Sequence, residues 1–188
     1  MTPADPELIV LVDAHGRPTG SAPKLASHHA QTPRHLAFSC FVFDDAGNLL
    51  VTRRARHKKV FPGVWTNSCC GHPAPGEAMA DAIQRRLQHE LGLQASRLTL
   101  ALPDFRYTAR YHGIVENEFC PVYLARTAQP PQPNPAEVAD YLWLPWSEWL
   151  AETQRRPWRY SIWSRKETAQ LAGRAELMEF TRPSGGIS

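Results

Sequence analysis

Cys70, His72 and Glu90 place a thiol, an imidazole and a carboxylate in one short span of the chain. A thiol can give or take a proton, and imidazole and carboxylate add acid–base or metal-ligating capacity. Further on, Glu116 and Glu118 stand two residues apart. In an extended chain that spacing puts both carboxylates on one face, about 7 Å apart, as an oxygen-rich metal site or an acid–base pair. Cys120, Val122 and Leu124 continue that face, which weakens the reading of a solvated edge. Arg53-Arg-Ala-Arg-His-Lys-Lys59 carries five cations in seven residues. It fits either a solvated loop or a clamp for a small anion such as diphosphate. Nucleic-acid binding prefers interleaved aromatics, and the run has none.

These groups need elements to position them. Val64 to Cys69 reads as a strand, followed by a Gly/Pro-rich turn and a helix with Glu77 in its first turn. Gly92 stands where a left-handed cap would end that helix. Its apolar stripe is Met79, Ile83 and Leu87, and Glu90 falls on the same stripe, four residues after Arg86. A carboxylate placed there needs a cation or Arg86 as partner, unless the pair is a plain surface salt bridge.

The chain reads as one α/β (α+β) domain over residues 8–180, with a flexible leader at 1–7 and a flexible tail at 181–188. A hydrophobic content of 43% and a charged content of 21% fit a soluble globular protein. No apolar run approaches a membrane span and the N-terminus lacks a signal-peptide pattern, so the expectation is cytoplasmic. Four cysteines without a C-x-x-C pair are expected as free thiols. The net charge of +3 is too small to imply nucleic acid by itself.

Strands are expected at Leu8–Val12, His35–Phe43, Leu49–Arg53, Arg97–Ala101, Glu116–Ala125 and Asp140–Leu144. The stretches 16–20 and 103–113 read as loops. Ser147 is expected to cap a short helix, and a longer helix should run from Ser164 to Phe180.

Gly71-x5-Glu77-x7-Arg85-x-Leu87-x-x-Glu90-x-Gly92-Leu93 resembles the Nudix box, a loop–helix–loop that binds metal-diphosphate. Arg86 stands where that pattern has an acidic residue, and His89 replaces the first of its paired glutamates. This erosion argues against simple diphosphate hydrolysis. Further motifs are Lys24-x3-His28-x6-His35, Arg53-Arg54-x3-Lys58-Lys59, Trp65-Thr-Asn-Ser-x-Cys70-Gly-His72-Pro, Asp104-Phe-Arg-Tyr107 and Gly113-Ile-Val-Glu116-Asn-Glu118. In this order they resemble the type I isopentenyl diphosphate isomerases, from about Leu8 to Phe180.

The resemblance implies a Nudix-type mixed β-sheet sandwiched between helices, and interconversion of isopentenyl and dimethylallyl diphosphate through a carbocation. It implies Glu118 and Cys70 as acid–base groups on opposite faces of the substrate, Tyr107 hydrogen-bonded to the carboxylate, and Trp163 facing the cation. It implies a first metal site of His28, His35, His72, Glu116 and Glu118, holding Mn²⁺, Zn²⁺ or Mg²⁺; the spacing from Lys24 favours His28 over His29. A second ion, Mg²⁺, would bridge Glu90 and the diphosphate with the Cys70 carbonyl. Lys24, Arg54, Lys58 and Arg86 would complete the anion clamp. The partner implied is a small diphosphate, bound by a monomer or homodimer. The rival readings are a Nudix pyrophosphohydrolase and a non-catalytic diphosphate-binding domain.

Overall fold

The computed structural model describes residues 7–27 and 29–184. Residues 1–6 of the expected leader, residues 185–188 of the tail and the candidate ligand His28 lie outside the described residues. Strand β1 (Leu8–Val12) pairs antiparallel with β2 (Pro18–Pro23). The sequence places a loop at 16–20; β2 is nearly all exposed, so backbone pairing forms it without an apolar alternation to announce it. A single turn, α1 (Lys24–Ser27), precedes β3 (His35–Leu36) and β4 (Phe38–Phe43). β5 (Asn48–Arg54) returns through the expected hairpin turn, where the Asp44 carboxylate accepts from the Asn48 N–H at 2.7 Å.

β4 and β5 pair only at Val42–Leu50 and Phe43–Leu49, then diverge. The expected single strand from Val64 to Cys69 is instead two short ones that fill this fork. β6 (Trp65–Thr66) pairs with β5, and β7 (Cys69–Gly71) pairs with β4. Between them Asn67 and Ser68 use side chains where the ladder is broken. Ser68 Oγ donates to the Leu50 carbonyl and accepts from the Val42 N–H, while Asn67 Nδ2 donates to the Cys40 and Cys69 carbonyls. Buried backbone groups left open by the fork are satisfied this way.

α2 (Met79–Leu91) follows and ends as expected at Gly92, whose φ of 62° is left-handed. Glu77 lies two residues before the helix, not in its first turn. β8 (Arg97–Leu102) leads to β9 (Arg106–Tyr111) and β10 (Ile114–Phe119). The expected loop at 103–113 therefore contains a strand. Its buried Tyr107 and Ala109 alternate with exposed neighbours, and His112 and Gly113, both at positive φ, make the tight turn.

The expected strand Glu116–Ala125 also divides, because Pro121 has no N–H to donate. β11 (Val122–Arg126) begins after it, and β12 (Val138–Pro145) ends against α3 (Trp146–Arg155). Pro145, not Ser147, occupies the N-cap, without a side-chain cap bond. The long C-terminal helix is broken at Gly173 into α4 (Ile162–Leu171) and α5 (Ala175–Phe180).

Two sheets result, ordered β2-β1-β3-β10-β9 and β12-β5-β4-β11-β8, with β6 and β7 in the fork of the second. Two chain segments pass between the sheets side by side. β3 pairs parallel with β10 in the first sheet, and their continuations β4 and β11 pair parallel in the second. Ala37 N–H to Phe119 O at 2.9 Å and Ser39 N–H to Pro121 O at 3.1 Å bridge the crossing.

The second sheet is covered on both faces. Phe38, Cys40, Val42 and Leu50 meet Ile83, Leu87 and Leu91 of α2. Phe41, Phe43 and Leu49 meet Trp149, Trp163, Leu171 and Phe180 of the C-terminal helices. Each fully buried Leu or Phe contributes roughly 1.5–3 kcal/mol. This is the mixed sheet between helices expected from the sequence. No described helix is long and apolar enough to cross a membrane.

Candidate active site

The crossing point opens into a cavity of about 530 Å³. β7 brings Cys70 and His72 to it, β9 brings Tyr107, β10 brings Glu116 and Glu118, and α4 brings Trp163. Lys24, Arg54, Lys58, Arg86 and Glu90 line it as well. His35 is fully buried and faces Glu118. Apart from His28, every site residue expected from the sequence therefore gathers in one region.

Glu118 Oε1 lies 3.1 Å from His72 Nε2 and 3.6 Å from His35 Nε2. Burial would raise the carboxyl's proton affinity, but hydrogen bonding from His35 and then His72 outweighs it and holds Glu118 well below the usual carboxylate range. Burial lowers His72 in spite of Glu118, which favours neutral imidazole. His35 Nδ1 lies 3.0 Å from the Pro33 carbonyl and donates to it, which fixes the ring with Nε2 turned towards Glu118. An ionised carboxylate and a neutral imidazole are the states in which these side chains ligate a divalent ion. The candidate ligand atoms of His35, His72 and Glu118 lie within 4.8 Å of one another. This compact group does not include Glu116 or Glu90; Glu116 lines the same cavity, and Glu90 is ion-paired with Arg86.

Cys70 is half-buried, and its thiol is pushed up to about 12, first by burial and then by the charge of Glu167. Its thiol donates to Asn67 Oδ1 at 3.3 Å, and Ser39 Oγ lies 3.4 Å from the sulfur. The same Asn67 oxygen accepts from the Trp163 indole N–H at 3.2 Å and from the Thr66 hydroxyl at 2.9 Å. Cys69 packs into the α2-side core and not with Cys70. Tyr107 is the cross-strand neighbour of Glu118, with its ring centroid 5.9 Å from Trp163; burial and then Glu118 push its phenol well up. Phe61 packs edge-on against Trp163 at 5.4 Å and closes the apolar wall.

The cations each meet a counter-charge or carbonyl. Lys24 pairs with Glu7 at 2.9 Å, Lys58 with Glu137, and Arg86 with Glu90 and Glu137. Burial opposes the charge on Arg86, but Glu90 and other anionic neighbours raise its proton affinity further. Burial pushes Glu90 up, with Arg86 opposing. Arg54 donates to the Phe61 and Val60 carbonyls at 3.2 and 3.0 Å, and so holds the loop over the cavity. Arg85 and Glu77 form a two-point pair at 2.7 Å, and Arg85 also donates to the His72 carbonyl. That fork anchors the turn carrying His72.

Glu137, Ser39 and Glu167 escaped the sequence reading. Glu137 follows a proline-rich loop with no pattern around it, Ser39 sits in an apolar strand, and Glu167 is one polar residue among many on α4. Asn67 was visible as part of the Asn-Ser-x-Cys motif, though not as an acceptor for three donors.

The NUDIX domain family model matches residues 33–165. Isopentenyl-diphosphate Delta-isomerase of Mycolicibacterium vanbaalenii is 53% identical over 166 residues, covering 88% of this chain and 91% of that protein. The protein of the same name from Frankia alni is 54% identical, covering 83% and 81%. Among solved structures, DR0079 from Deinococcus radiodurans superposes with a TM-score of 0.61 at 22% identity, covering 80% of this chain and 90% of that one. A MutT protein from Methanosarcina mazei Go1 also gives 0.61, at 13% identity, covering 76% and 95%. These two likenesses establish the fold.

Proposed function

The chain belongs to the isopentenyl-diphosphate Delta-isomerase family of NUDIX-domain proteins, and on that premise we propose that it interconverts isopentenyl and dimethylallyl diphosphate by allylic proton transfer. The observation that carries the mechanism is that Cys70 and Glu118 line one cavity in complementary states. The Cys70 thiol holds a proton to give, and the Glu118 carboxylate has room to take one. A 1,3 shift needs both groups, acting at the two ends of a three-carbon system. For the reverse reaction the two exchange roles.

Trp163 and Tyr107 present aromatic faces to the cavity, and the Trp163 ring is held by its hydrogen bond to Asn67. An aromatic face stabilises a desolvated cation by about 2 kcal/mol or more. Phe61 helps keep water from the cationic carbon. Lys24, Lys58 and Arg86 bind the diphosphate and orient the five-carbon chain. Arg54 supports that clamp through the Val60–Phe61 backbone.

His35, His72 and Glu118, with Glu116 beside them, would hold a divalent ion, Mn²⁺, Zn²⁺ or Mg²⁺. Glu90 would share a Mg²⁺ with the diphosphate. When bound, such ions fix the carboxylate's orientation and offset the substrate's charge. The mixed imidazole–carboxylate donor set, with Glu118 ionised and His72 neutral, supports the first site.

The test is incubation with isopentenyl diphosphate and Mg²⁺ in D₂O, followed by NMR. Deuterium entering dimethylallyl diphosphate is the expected result. Phosphate release without isomerisation would instead support hydrolysis, and binding without either would support a non-catalytic domain.

A further inference from the structure

Phe61 has a backbone conformation that a bulky residue rarely adopts: its φ is 48°, in the left-handed region. Such strain persists where the surroundings over-determine it. Arg54 fixes the backbone, donating to the Val60 and Phe61 carbonyls at 3.0 and 3.2 Å. The ring is fixed by two aromatic contacts, to Trp163 at 5.4 Å and to Tyr111 at 4.9 Å. Tyr111 has no part in the scheme above. It ends β9 and pairs with Ile114 across the hairpin. Cross-strand partners share a face, and Ile114, Glu116 and Glu118 of β10 all line the cavity. Tyr111 therefore belongs to the same cavity-side stripe as Tyr107. Its ring is braced edge-on by His112 at 4.3 Å, in the positive-φ turn. Phe61 follows β5 of one sheet and Tyr111 ends β9 of the other, so their contact joins the two sheets beside the cavity.

We propose that Tyr111 is a positioning residue that holds Phe61 against Trp163, and that this aromatic seal decides how the substrate cation is discharged. Protonating the isopentenyl double bond puts positive charge on its tertiary carbon. Two exits are then open. Loss of a proton from the adjacent methylene re-forms a double bond and gives the allylic diphosphate. Attack by a water oxygen forms a C–O bond instead, one proton of that water passes to solvent, and a tertiary alcohol diphosphate results. Neither exit needs an oxidant or a reductant, and the second needs only water. The Phe61 ring, seated between Trp163 and Tyr111, fills the path by which water reaches the tertiary carbon. Without the Tyr111 ring, Phe61 is free to relax from its strained φ and to leave Trp163. This inference rests on the isomerase reading, since it requires the cation to form.

The experiment incubates the wild type, Tyr111→Ala, Tyr111→Phe and Phe61→Leu with isopentenyl diphosphate and Mg²⁺ in ¹⁸O-labelled water. Mass spectrometry then reads the ratio of labelled tertiary alcohol to allylic product. Both products arise from one cation, so the ratio does not depend on how much of a variant is folded or how fast it turns over. In Tyr111→Ala the ratio should rise about tenfold over the wild type, the upper end of what an aromatic pair is worth. Phe61→Leu removes the ring from the other side of the contact and should give a similar rise. Tyr111→Phe keeps the ring contact and should return the wild-type ratio. Slower turnover at an unchanged ratio in Tyr111→Ala overturns the proposal, as does a ratio in Tyr111→Phe as high as in Tyr111→Ala. If Tyr111→Ala yields no folded protein, Phe61→Leu decides by the same ratio. A wild type that converts no substrate overturns the isomerase reading and this inference together. Wild-type conversion with the same ratio in every variant overturns the inference alone.

Discussion

Glu118 and His35 are register partners in the parallel pairing of β10 with β3, and His35 Nε2 stands 3.6 Å from Glu118 Oε1. The position of this carboxylate is therefore set by backbone pairing between two sheet-crossing segments, not by a loop. Sites built on strands hold their geometry closely. The expected consequence is that His35→Gln lowers bound Mn²⁺ or Zn²⁺ well below the wild-type content, with the far-UV circular dichroism preserved. Elemental analysis after dialysis measures it. Wild-type metal content in the variant would move the ion to another ligand set.

Glu137 answers both Lys58 and Arg86, so an anion entering the clamp competes with a resident carboxylate. These side chains are partly exposed, and water moderates each pair. Lys58→Ala should weaken inorganic pyrophosphate binding by about tenfold, one charge-assisted contact, with little change in Tm. Glu137→Gln should tighten it a few-fold. Titration calorimetry reads both, and weaker binding in Glu137→Gln would mean that the carboxylate organises the clamp instead of opposing it.

What could be read from the sequence follows from what leaves a local pattern. The stripe Met79-Ile83-Leu87 and Gly92 revealed α2, and the pairing of Arg86 with Glu90 followed from their four-residue spacing. β2 left no pattern, being exposed on both faces, and β9 was concealed by its charged exposed positions. The split at Pro121 depends on which sheet each half joins, a long-range choice that neighbouring residues do not encode. The site was legible where motif residues make the contacts themselves. Glu137 acquires meaning only after distant segments meet, so spacing could not reveal it.

Gly71 sets how closely α2 approaches β7. A Cβ there would lie 2.8 Å from Arg86 Cγ and 3.0 Å from Phe38 Cζ. The Phe38 ring is buried and packed, so it has little room to give way. Gly71→Ala should cost about 1–3 kcal/mol and displace Arg86, raising KM for the diphosphate. Chemical denaturation together with steady-state kinetics tests this. Unchanged stability with unchanged KM would show that the helix can shift freely.

Glu167 makes a prediction about stability that is separate from turnover. Its folded proton affinity is near 8, against roughly 4.3 for an exposed glutamate. Between those values the folded state binds more protons than the unfolded one, so this group's stabilisation is complete at low pH and is lost as pH rises through the window. The loss is on the order of 5 kcal/mol when complete. The charged group facing it is Glu118, which repels its anion further; Cys70 and Cys120 stay protonated because both thiols are pushed up. Glu167→Gln cannot titrate, and Glu118, held well below the usual carboxylate range, stays ionised from pH 5 to pH 9. The stability of the variant relative to the wild type should therefore climb steadily from pH 5 to pH 9 in urea denaturation. A difference that stays flat across that range would mean Glu167 is ionised in the fold, and the neutral buried acid would have to be abandoned.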